Sequence, residues 1–226
     1  MGNNFNKLDW KIDQLWSGCI LTSIAHAIMV AHYPLISYEK SWDRFNFSIQ
    51  DSEGIGGTVT FHDKYCIGAF RNDNSDRIGS KVFKNATAYI KNAPQEVIKL
   101  SEEETFQYLL VNIGGNVLPV ITTAFWGNDN ELYIEDSYSD FLRYGGELIE
   151  TQAKDFHSVI NVLVDDYEMS TKQVDLMKII YARKIKKPDD KIILTKKEIN
   201  MIGTDDQEGL SESLNSFREI NIDWEK

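Results

Sequence analysis

Glutamine, cysteine, histidine and aspartate occur in this chain in an order that could support a thiol nucleophile. Cys19 follows Ser17-Gly18, and the apolar spacing predicts a helix from about Cys19 to His32. A cysteine at a helix N-terminus has its thiolate stabilised by the macrodipole and by free backbone amides. Gln14, five residues upstream, could donate to an oxyanion. His157 could serve as the base, with Asp165, next to Asp166, as its orienting carboxylate. The competing reading is a small apolar thiol at the buried start of a helix.

The other reactive side chains make weaker sets. His26 comes seven residues after Cys19, and two helical turns separate such residues by roughly 10 Å, too far for a dyad. It reads as a hydrogen-bonded helix residue. His26 and His32 point to opposed faces, so they do not share a metal. Cys66 has no CxxC companion, and no zinc-ligand spacing occurs. Gly54-Ile55-Gly56-Gly57 lacks the GxGxxG pattern between a strand and a helix, and no Walker lysine follows it. Neither metal nor cofactor is therefore expected. Asp165-Asp166 and Asp205-Asp206 also read as solvated helix ends, and the basic cluster from Lys178 to Lys197 as a solvated face. Trp16 and Trp126 adjoin glycine-rich turns and are expected to anchor an interface, where tryptophan is over-represented. With Asp129 and Glu131 they form the expected binding set.

The order Gln14, Cys19, His157, acid resembles that of papain-like cysteine peptidases and transferases. The resemblance implies a hydrolase or acyltransferase with Cys19 as nucleophile, His157 as base, and Gln14 and Asp165 in support. Three features depart from it. Gln14 is five residues before Cys19 where that pattern has six, no glycine precedes His157, and His157 falls in a helical pattern where that family presents a strand.

These residues need a scaffold. Phe45, Phe47 and Ile49 alternate with polar residues, which puts them on one face of a half-buried strand. DSEGIGG follows as an expected break. Strands are then expected through Thr58–Phe61 and Tyr65–Phe70, with His62-Asp63-Lys64 as a polar tip and Gly68 at a bulge or close backbone approach. Lys81 to Lys91 reads as a helix in preference to a strand. Ser101 and Glu104 match a capping box, and Phe106, Leu109, Leu110 and Ile113 predict a helix ending at Gly114-Gly115. Val117 to Trp126 reads as a strand, with Pro119 placing it at an edge. Glu131 to Ile134 reads as its return. Asp136 or Ser137 opens a helix to Gly145, and a long helix is expected from Leu148 through Asp165. Ser170 or Thr171 caps another, whose end is crowded with lysine and arginine. Lys187 to Lys191 is the expected linker. Thr195 and Glu198 form a second capping box, a last helix covers Leu210 to Ile220, and the acidic tail is expected to fray. The expected fold is α+β: an antiparallel sheet of about five strands packed by helices. One domain over residues 1–187 carries a polar, acidic helical extension over 188–226.

Composition narrows the function. The chain has 226 residues, 24 basic against 35 acidic, and a net charge of -11. Such a surface repels nucleic acid and anionic membrane and suits a basic protein partner. The opening MGNNFNKLDWK has no apolar core segment, so no secretion leader is expected, and Cys19 and Cys66 are expected as free thiols in the cytoplasm. The acidic, aromatic-rich α+β character, most evident in Ser48–Arg71 and Thr123–Gly146, resembles the intracellular immunity proteins of bacterial polymorphic toxin systems. That resemblance implies a non-catalytic binding protein whose acidic face occludes a basic toxin.

Overall fold

The computed structural model describes residues 5–79 and 85–225. The chain divides into two compact units, residues 1–15 with 45–153 and residues 16–44 with 154–226. Along the chain, β1 (Asn6–Leu8) precedes α1 (Ile12–Val30), β2 (Lys40–Asp43), β3 (Asn46–Gln50), β4 (Ile55–His62) and β5 (Tyr65–Asn72). Then come α2 (Asp76–Gly79), α3 (Gln95–Glu103), β6 (Leu110–Ile113), β7 (Asn116–Pro119), β8 (Thr123–Asn128) and β9 (Glu131–Ile134). The rest comprises α4 (Tyr138–Phe141), α5 (Glu147–Glu150), α6 (Phe156–Tyr167), α7 (Thr171–Lys186), β10 (Ile192–Leu194), α8 (Lys196–Ile199), α9 (Gln207–Glu219) and β11 (Ile222–Trp224). The α+β expectation holds.

Six strands of the seven-stranded antiparallel main sheet lie in the first unit, in the order β1-β9-β8-β5-β4-β3. The expected meander is β3-β4-β5, with its polar tip at His62 to Lys64. Two details differ from the alternating pattern. β4 begins at Ile55 and carries Gly56 and Gly57 inside it, because the Phe70 ring fills the space a side chain at Gly57 would need. β5 and β8 are buried on both faces rather than one. Ile67, Ala69, Ala124 and Trp126 pack with Ile90, Val97 and Phe106 on one face. On the other, Phe70, Phe125 and Phe141 form a ring cluster with centroids about 6 Å apart. Gly68 is the expected close approach: Phe125 lies where its Cβ would be.

The helix expected over Phe106 to Ile113 does not form. Ser101 sits inside α3, with its hydroxyl donating to the Ile98 carbonyl (2.6 Å). A 3-10 stretch, Thr105–Leu109, follows, and Leu110–Ile113 is β6. Gly114 and Gly115 have φ of 59° and 89°, the geometry of a two-residue hairpin turn with positive φ at both central positions. A helix C-cap needs only one such residue. The segment read as one strand from Val117 to Trp126 is accordingly two, β7 and β8. The long helix expected from Leu148 is also interrupted. α5 gives way to a 3-10 turn, and α6 starts afresh where the Asp155 carboxylate accepts from the amides of His157 and Ser158 (3.0 and 3.2 Å). The helix expected over Lys81 to Lys91 falls partly outside the described residues. Of the remainder, Ala86–Tyr89 forms a 3-10 turn capped by Asn85.

In the second unit, residues 18–31 of the α1 segment are all buried. Ser213 on α9 donates to the Ala27 carbonyl (2.6 Å). His32 and Gln173 converge on the Ile202 carbonyl, each at 2.9 Å. Ser170 caps α7 in a full capping box with Gln173, and Thr195 with Glu198 does the same for α8. The tail is not frayed: β11 pairs in parallel with β10. Residues 188–226 thus fall in the same compact unit as residues 16–30 of α1 and as α6 and α7, and the expected boundary at 187 is not where the units divide.

Candidate functional site

The proposed catalytic set can be placed residue by residue. α1 begins at Ile12, not near Cys19. Cys19 is therefore two turns into the helix, beyond the reach of its N-terminal amides, and it is fully buried. Gln14 lies in the first turn of α1, where its amide nitrogen donates to the Ala153 carbonyl (2.7 Å). His157 is the second residue of α6, exposed, with its ring against Phe156. It is on a helix, as its spacing predicts, and not on the strand that the papain-like pattern has. Asp165 is exposed on the same helix, eight residues on, which puts it about 12 Å further along the axis. A carboxylate there cannot steer the imidazole. A buried sulfur, an exposed ring and a remote carboxylate do not make a nucleophile, a base and its orienter.

Of the expected binding set, Trp126, Asp129 and Glu131 lie on one hairpin, β8–β9. Trp126 is a core residue, tilted against Tyr133 (4.6 Å between centroids) and edge-on to Phe5 (5.5 Å). Its indole nitrogen is buried with no hydrogen-bond partner among the described residues. It cannot anchor a partner from there. Trp16 is half-buried on α1. Asp129 is exposed in the β8–β9 turn, 3.6 Å from the Lys64 amine. Glu131 is held by Lys7, Lys11 and the Tyr133 hydroxyl, and the Lys7 and Tyr133 hydrogen bonds lower its pKa. Asp129 and Glu131 remain surface carboxylates.

Two constellations were missed from sequence. The first is a buried polar cluster in the second unit. The Lys40 amine donates to the Tyr167 hydroxyl (3.0 Å), which lies 3.1 Å from His26 Nδ1. Burial, helped by the Lys40 charge, lowers the His26 pKa to about 3, against a smaller opposing pull from the Ser37 backbone. Burial likewise lowers the Lys40 pKa, with Glu39 and Asp166 opposing, and raises that of Tyr167. His26 Nε2 and Thr22 Oγ1, one turn apart on α1, are buried without hydrogen-bond partners among the described residues. The cluster can hold a neutral histidine inside the fold. Residues 127 or more apart meet here, so no local motif announces it.

The second constellation is on the surface of the first unit. β6 and β7 form a separate two-stranded ribbon around the Gly114-Gly115 turn. Leu110 is 40% exposed, Val117 60% and Leu118 50%, with Tyr108 at 40% just before the ribbon. Two short apolar runs around Gly-Gly are a hairpin signal, so this element was legible in principle. The acid excess is concentrated in the same unit: 18 acidic against 10 basic residues, a net of -8, whereas the second unit has 17 against 14, a net of -3.

Among the described residues no group of histidine, cysteine and carboxylate side chains is placed to hold a metal ion, and no helix is long and apolar enough to cross a membrane. Comparison with protein-family models, with curated proteins and with solved structures returns no match.

Proposed function

We propose that the protein is a non-catalytic binding protein that neutralises a basic protein toxin by contact, acting in the cytoplasm as an immunity protein. The observation that carries this reading is the gathering of the acid excess on the first unit, the unit that also exposes apolar ribbon side chains. Charge of one sign steers a basic partner into encounter, and exposed apolar side chains supply the burial that holds it. The buried sulfur of Cys19, with His157 exposed and Asp165 about two turns further along the same helix, favours binding over thiol chemistry.

The test is a panel of cationic toxin domains from bacterial polymorphic systems. Each is co-expressed with this chain and scored for growth rescue, then titrated by calorimetry at 50 and 500 mM salt. One member is expected to be neutralised and to bind with nanomolar affinity that weakens at least tenfold at the higher salt. Rescue by none, with no salt-sensitive association, overturns the reading.

A further inference from the structure

We infer that the β6–β7 ribbon is the element that enters the partner, and that the partner is a cationic protein offering a cleft with apolar walls. The inference rests on the binding reading above and adds the site to it. Cross-strand register carries the argument. Val111 faces Leu118 and Ile113 faces Asn116, while Leu110 faces Pro119 and Asn112 faces Val117. Opposed residues in an antiparallel pair share a face. Leu118 is therefore on one face of the ribbon and Val117 on the other, and both are at least half exposed. A ribbon laid on its own domain would bury one face and show polar residues on the other. This one leaves apolar side chains in water on both.

Exposed apolar clusters of this kind mark contact sites. Two greasy faces suit insertion between two walls rather than docking onto a flat surface. Four-residue strands extend about 13 Å from the base, where the Val120 amide donates to the Leu109 carbonyl (3.0 Å). The tip is unencumbered: side chains built at Gly114 and Gly115 would meet nothing within 4 Å. At the base, the 3-10 stretch links β6 to the acidic end of α3. The last turn of that helix and its C-cap carry Glu102, Glu103 and Glu104, with the Lys99 amine 3.7 Å from the Glu103 carboxylate. Those carboxylates would meet the rim of a cationic cleft while Val117 and Leu118 fill its interior, an apolar centre with a charged rim. The same carboxylates oppose a second copy of this chain as the occupant, since two acidic collars would meet.

The experiment repeats the toxin-domain panel with two variants. Val117→Thr/Leu118→Thr puts a strand-favouring β-branched residue at both positions and removes apolar surface. Glu102→Gln/Glu103→Gln removes charge alone. Both sites are exposed, so circular dichroism and melting should match the parent. The threonine pair is expected to weaken the tightest panel complex at least 100-fold. The glutamine pair should weaken it about tenfold at 50 mM salt and little at 500 mM. Equal binding by parent and threonine variant overturns the ribbon assignment while leaving the binding function in place. Absence of binding by every panel member removes both. Sedimentation velocity of the protein alone should show a monomer. A dimer that the threonine pair dissolves would make a second copy the occupant and overturn the inference.

Discussion

The Tyr167 hydroxyl lies 3.1 Å from Nδ1 of His26, inside the second unit, where burial and the Lys40 charge keep that imidazole neutral. The sign of the resulting pH dependence follows from linkage. The His26 pKa is about 3 when folded, against an ordinary 6.5. The unfolded chain therefore takes up the proton first, and stability is lost as pH falls below about 6.5. Between pH 7 and pH 5 this one group should remove about 2 kcal/mol. His26→Gln should abolish that part of the slope. Urea unfolding of both proteins at both pH values measures it, and parallel losses in the two would show that His26 is not the cause.

Gly68 and Phe125 are opposed across β5 and β8, and the ring occupies the place of a side chain at position 68. Gly68→Ala is expected to cost about 2–3 kcal/mol through overpacking. Adding Phe125→Leu should return part of that loss, because the obstacle is the ring. Thermal denaturation of the single and double variants reads the coupling, and strict additivity would mean that the backbone, not the contact, sets the cost.

Residues 188–226 contribute buried Leu194, Phe217 and Ile222 to the second unit. A chain ending at Lys187 should therefore be poorly soluble and rapidly proteolysed rather than a trimmed but folded protein. Ser213→Ala is the milder probe. It removes a buried hydrogen bond to Ala27 and should cost about 1 kcal/mol. A 1–187 fragment with sharp, protease-resistant melting would restore the view of a dispensable extension.

Both cysteines are buried and outside any disulfide, and burial pushes the Cys66 pKa up. Iodoacetamide at pH 6 should leave both unmodified in the native protein and label both in urea. Rapid native labelling of Cys19 alone would bring thiol catalysis back into consideration.

The amino-acid order by itself determined the local features. Glu131–Ile134 as a strand, the β3-β4-β5 meander, a helix cap at Ser170 or Thr171 and the capping box at Thr195 depend on neighbouring residues. Gly114-Gly115 shows where that stops. Two glycines after an apolar run fit a helix end or a hairpin, and only Val117 and Leu118 on the returning strand decided between them. Tertiary structure alone decided the rest. Cys19 has a sequence suited to a reactive helix start, yet α1 begins seven residues earlier and buries it. Trp126 looks like an anchor until the second face of the sheet is covered. His26, Lys40 and Tyr167 meet from distant positions along the chain. Burial and long-range hydrogen bonding depend on which surfaces pack together, and pairwise spacing along a chain carries little of that information.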